Sequence, residues 1–99
     1  MARRAARVDV NQPEIVATLR EAGYSVTPTH MVGNGFPDIV VGRNGYNWLV
    51  EIKDGDKPPS AQKLTDDEEK WHLNWRGTAI VANSAEDLLD QINADIHRV

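Results

Sequence analysis

Two runs rich in β-branched and aromatic residues, Asp38–Arg43 and Tyr46–Lys53, flank the dipeptide Asn44-Gly45. Asn-Gly is the strongest short signal for a two-residue type I′ turn, because both central residues need positive φ. The pattern predicts one β-hairpin in which Arg43 pairs with Tyr46. Counting back along that register sets Asp38 directly opposite Glu51 and on the same face. Lys53, two residues beyond Glu51, points the same way. Ile39, Val41, Trp48, Val50 and Ile52 share one face, and Val40 and Leu49 the other. Apolar residues on both faces suit a sheet covered twice.

Helical spacing appears on either side of the hairpin. Asn11 is placed to cap a first helix, with Pro13 in its first turn and Glu14 at the third position of a capping-box-like pattern. Ile15, Val16, Leu19 and Ala22 make its apolar stripe, and Gly23 stops it. Tyr24–His30 reads as a strand that Pro28 confines to an edge or a bulge, and 31–36 as a loop. Its Gly33-Asn34-Gly35 lacks P-loop spacing and a following helix, so it is a turn feeding the hairpin. Thr65 and Glu68 form a capping box for a second helix. Trp71 and Trp75 lie on the Glu68 face of that helix and are expected in the core in preference to serving as base-stacking platforms. His72, four residues from Glu68, could serve as a proton shuttle but is expected to be an exposed helix histidine. Thr78–Ala82 is a short apolar strand. Ser84 caps a last helix whose stripe is Leu88, Leu89, Ile92 and Ile96, and whose acids Glu86, Asp87, Asp90 and Asp95 form a solvated face. The order is helix, three strands, helix, strand, helix, an α/β domain with a mixed sheet and helices on both faces.

Composition narrows the chemistry. Ninety-nine residues suit one domain with one modest core. No cysteine is present, which excludes disulfides and thiolate metal sites. His30, His72 and His97 lack ligand spacing for structural zinc. No apolar run is long enough to span a membrane and no secretory signal is visible, so an intracellular, cytoplasmic location is expected. The net charge of −4 runs against the basic footprint of a nucleic-acid binder. Arg3, Arg4 and Arg7, however, form an acid-free arm within residues 1–10. It is read either as a phosphate contact or as a flexible tail ahead of a single domain at 11–99.

The open end of the hairpin carries the candidate chemistry. Directly opposed like charges destabilise a strand pair, and a divalent cation would offset the repulsion of Asp38 and Glu51. Mg²⁺ is commonly held by one or two carboxylates with waters and substrate phosphates. Lys53 beside it could steady a phosphate or an attacking water. Asp54 is expected to face away from Glu51, and neither it nor Asp56 joins the set.

Pro37-Asp38 followed by Glu51-Ile52-Lys53 resembles the PD-(D/E)XK nuclease superfamily, and within it the compact stand-alone VRR-NUC nucleases. The resemblance covers about residues 11 to 97 and extends to Leu64-Thr65 and Trp71-His72. It implies the αβββαβα restriction-endonuclease-like core and a Mg²⁺- or Mn²⁺-dependent nuclease. Asp38 and Glu51 would bind the metal through their side chains, Ile52 through its carbonyl, and Lys53 would serve the attacking water and the phosphate. It also implies a metal-proximal glutamate in the first helix, which makes Glu14 a candidate beside its capping role. Glu68 stands where similar sequences carry glutamine; it could orient water or reach the metal, or simply cap its helix. The implied partners are DNA, branched or four-way in structure, and a second copy in a homodimer. Two other readings stay open: an inactive nuclease-fold module for DNA binding or assembly, and a structural α/β domain whose Asp38 and Glu51 merely face solvent.

Overall fold

Asn44 and Gly45 adopt φ of 53° and 85°, the left-handed pair that a type I′ turn demands. They join β2 (Ile39–Arg43) to β3 (Tyr46–Ile52), antiparallel, with Arg43 opposite Tyr46 and Ile39 opposite Val50. The computed structural model describes residues 9–97; the Arg3–Arg7 arm lies outside them. Around the hairpin come α1 (Gln12–Glu21), β1 (Ser25–Pro28), α2 (Asp66–Asn74), β4 (Ala79–Ala82) and α3 (Ala85–Ile96). Single 3-10 turns at His30–Val32 and Pro59–Gln62 occupy the two long connections. The domain is therefore α/β with the expected element order. Among the described residues, no helix is long and apolar enough to cross a membrane.

The sheet runs β1-β2-β3-β4. β1 pairs antiparallel with β2, and β4 runs parallel to β3. β1 is thus an edge strand, which is where Pro28 costs no ladder bond. One face of the sheet carries the core: Ile39, Val41, Trp48, Val50, Ile52, Ile80 and Ala82 pack against Ile15, Val16 and Leu19 of α1 and Leu88 and Ile92 of α3. α1 ends in a Schellman motif. Tyr24 N–H donates to Leu19 O and Gly23 N–H to Arg20 O, with Gly23 at φ +94°.

The opposite face is covered far less than the apolar pattern suggests. Val40 and Leu49 stay half-buried, and α2, the helix on that side, has no fully buried residue. Trp71 and Trp75 are accordingly not core residues: Trp71 is half-buried and Trp75 is 43% exposed. The i, i+4 spacing correctly puts them on one helix face, but that face meets the polar end of the sheet. Four smaller expectations change for related reasons. Ala22 and Ile96 fall at the frayed ends of their stripes and are exposed. Asp87 accepts from Asn83 N–H, and Asp95 accepts from the buried Trp48 indole at 2.9 Å, so neither is simply solvated. Ser84 caps α3 as expected, accepting from Asp87 N–H.

Candidate active site

Strand pairing between β2 and β3 ends at Ile39 and Val50. The chain then places Asp38 just beyond the ladder, with its N–H donating to Val50 O at 2.9 Å. Ile52 N–H consequently has no backbone acceptor from β2, and Asp38 Oδ2 takes that place at 2.7 Å. A buried amide needs such a partner; here it also orients the carboxylate. Pro37, buried at the start of the hairpin, needs no ladder N–H, and Thr29 clamps this corner by donating to Pro37 O and Asp38 O.

Glu51 lies beside Asp38 and is 3% exposed. Burial, then the Asp38 charge and the Asp38 hydrogen bond, push its carboxyl up to about 10. Burial raises Asp38 as well, against the lowering effect of the Ile52 N–H. Without a cation the two carboxyls therefore share a proton, held on Glu51. Lys53 Nζ stands 3.8 Å from Glu51 Oε2 but 2.8 Å from Glu68 Oε1, so its ion pair is with Glu68. Burial by itself would lower the Lys53 ammonium; the Glu68 hydrogen bond and the surrounding acids outweigh it and raise it. Burial likewise opposes the charge on Glu68, yet the Lys53 and Thr65 hydrogen bonds hold its carboxyl below the ordinary value.

Glu68 does two things at once. Thr65 N–H donates to its Oε1 at 2.9 Å while Glu68 N–H donates to Thr65 Oγ1 at 3.2 Å, the reciprocal capping box expected for α2. The same Oε1 receives Lys53. Cap and site partner are therefore not alternatives. The docking of α2 depends on Gly35, whose φ is +81°: a Cβ there would lie 2.6 Å from the Asp67 carbonyl carbon and 3.0 Å from Glu68 N. The turn at 33–35 is thus a close contact with the first turn of α2.

The structure brings together Asp38, Glu51, the Ile52 backbone, Lys53 and Glu68. Glu14 sits elsewhere. It is exposed on the rim of a separate cavity with Asn11, Asp54 and Asn83, and among the described residues no hydrogen bond or ion pair joins it to the carboxylate pair. Nor does it close a capping box. Asn11 occupies the N-cap position in a helical conformation with no side-chain cap, and its amide instead bridges Lys53 O and Asn83 O at 3.1 and 3.2 Å. That amide ties the start of α1 to the ends of β3 and β4.

One residue near the cluster escapes a sequence reading, and a second differs from it in burial. Asp9, half-buried ahead of α1, acts through its charge on both Asp38 and Lys53; only its nearness to the first helix hints at this. His72 is half-buried rather than exposed, its ring edge-on to Trp71 at 5.1 Å and its Nε2 buried without a partner. Burial lowers it below the usual histidine value, with the Glu68 charge opposing and the Lys53 charge reinforcing. The Glu68–His72 spacing of four residues is the signal for that proximity.

Among the described residues, no group of three or more His, Cys, Asp or Glu side chains is arranged to hold a metal. The oxygen donors present are two carboxylates and a carbonyl, the hard set that Mg²⁺ takes while keeping several waters. Their fit to a cation is electrostatic as well: Glu51 is buried next to an acid and its nearest ammonium is committed to Glu68. No family model, curated protein or solved structure matches the chain.

Proposed function

We propose that this protein is a Mg²⁺- or Mn²⁺-dependent nuclease of the PD-(D/E)XK type, most similar to the VRR-NUC enzymes, hydrolysing DNA phosphodiesters. The observation that carries the reading is the pairing of half-buried Asp38 with buried Glu51 at the open end of a hairpin, with Lys53 presented beside it by Glu68. Asp38, Glu51 and the Ile52 carbonyl would hold the cation. When bound, a divalent cation activates water and neutralises charge on the phosphate. The chain's own contributions are positional. The Ile52 N–H fixes the Asp38 carboxylate, and Glu68 restrains the Lys53 ammonium so that it meets the phosphate or the attacking water without a search over rotamers.

Branched or four-way DNA as substrate, and a homodimer cutting both strands, extend the same reading; a domain of this size has little surface of its own for a large substrate. Gel-based cleavage of linear duplex, single strand, flap and four-way junction, in Mg²⁺, Mn²⁺ or EDTA, tests it. Metal-dependent cutting by the wild type, lost in Lys53→Ala and Asp38→Ala, supports the nuclease. Salt-sensitive DNA binding without cutting of any substrate would instead favour the inactive binding or assembly module.

A further inference from the structure

We propose that the Trp71–Trp75 side of α2 is a stacking platform for an unpaired nucleobase adjoining the carboxylate cluster, an assignment that deepens and rests on the nuclease reading. Tryptophan is usually well buried, yet Trp75 is 43% exposed and neither indole belongs to the core. The two indoles are nonetheless ordered by each other, stacked at 4.7 Å with 19° between planes. Phe36 braces both edge-on, at 5.3 and 6.4 Å. Gly77 leaves room for the outer ring: a Cβ there would lie 2.8 Å from Trp75 Nε1.

Beside the rings opens a cavity of about 350 Å³ lined by Asn34, Asp67, Lys70, Trp71, Asn74 and Trp75. Its rim matches a nucleotide. Lys70 can take a phosphate; the Asn34 amide offers both donor and acceptor to a base edge. Asn74 donates its NH₂ to Lys70 O, leaving its carbonyl oxygen as an acceptor. Asp67 can accept from an exocyclic amino group. Base–aromatic stacking suits any base and so needs no sequence preference.

Position ties this surface to the cluster. Phe36 lies two residues before Asp38, and Trp71 three residues after Glu68. Along the helix axis Trp75 is only about 10 Å from Glu68, the span of a few stacked nucleotides. A strand whose scissile phosphate meets Lys53 would thus reach the platform with a neighbouring unpaired base.

Fluorescence anisotropy of a labelled single-stranded oligonucleotide in EDTA tests the platform without cleavage, against the same strand carrying abasic sites. Trp75→Ala should weaken binding of the base-containing strand by about 5- to 150-fold, with Trp75→Phe restoring most of it. The abasic strand should bind the wild type weakly and lose little more in Trp75→Ala. Unchanged affinity in Trp75→Ala, or the same loss on both strands, overturns the platform; so does a change in sedimentation with DNA binding intact, which would make the surface a contact between copies. Lys53→Ala separates the two claims, since it should abolish cutting and weaken both strands through the lost phosphate contact, while the affinity difference between base-containing and abasic strands persists. Wild-type cutting with a normal Trp75→Ala affinity removes the platform alone.

Discussion

Replacing Glu51 with glutamine should change how stability depends on pH, and the size of the effect follows from the burial of the carboxyl. Glu51 is 3% exposed, and burial with the adjoining Asp38 moves its carboxyl from 4.5 to about 10. Between those values the folded protein binds a proton that the unfolded chain has released. Stability therefore falls as pH rises: the contribution is fully present below pH 4.5 and is lost as pH climbs through about 10. The limiting slope is a little over 1 kcal/mol per pH unit, so moving from pH 6 to pH 8 removes roughly 3 kcal/mol. That is a large part of a typical domain stability of about 5–15 kcal/mol. Glutamine keeps the shape and hydrogen-bonding capacity without the ionisation. Asp38 is also raised and acts in the same direction, so the variant flattens the dependence rather than abolishing it. Urea unfolding in EDTA across this range, followed by tryptophan fluorescence, measures both proteins. A Glu51→Gln curve parallel to that of the wild type would refute the shared-proton reasoning.

Three further outcomes are expected. Gly35→Ala, which combines a positive φ with a collision against the first turn of α2, should destabilise the fold by about 1–3 kcal/mol and lower cleavage more than Thr65→Ala does; gel cleavage with matched melting curves checks this. Leu88→Ala, at a side chain with no exposed surface, should cost about 2–5 kcal/mol by urea unfolding and leave the Asp38–Glu51 pairing intact. His72, which burial holds below its ordinary value, should titrate below the usual histidine range in an NMR pH series, and an unshifted midpoint would refute its burial beside Trp71.

Much of this molecule was legible from local chemistry. Asn44-Gly45 dictated a turn whose register carried Asp38 to Glu51. Gly23, Thr65 with Glu68, and Ser84 marked helix ends through groups that the backbone must satisfy nearby. What escaped were choices made by distant partners. Asn11 has the side chain of a cap, but its amide nitrogen donates to Lys53 O and Asn83 O and its oxygen accepts from no N–H of the helix start. Glu14, left without that box, stays in solvent. The tryptophan spacing defines a face of α2 but not what lies beneath it, and α2 rests on the ionic end of the sheet through Glu68 and Lys53. Asp95 looks like any surface acid until the fold brings the Trp48 indole to it. Periodicity finds faces; only tertiary packing assigns them.

The central claim is that Asp38 and Glu51 form a divalent-cation site, and calorimetric titration of Mn²⁺ into the metal-free protein tests it most directly. Repeating the titration at pH 7 in buffers of different ionisation enthalpy counts the protons released. Saturable binding that expels about one proton, from the Glu51 carboxyl, and that disappears in Asp38→Ala is the predicted result. No binding, or binding unchanged in Asp38→Ala, would contradict the account.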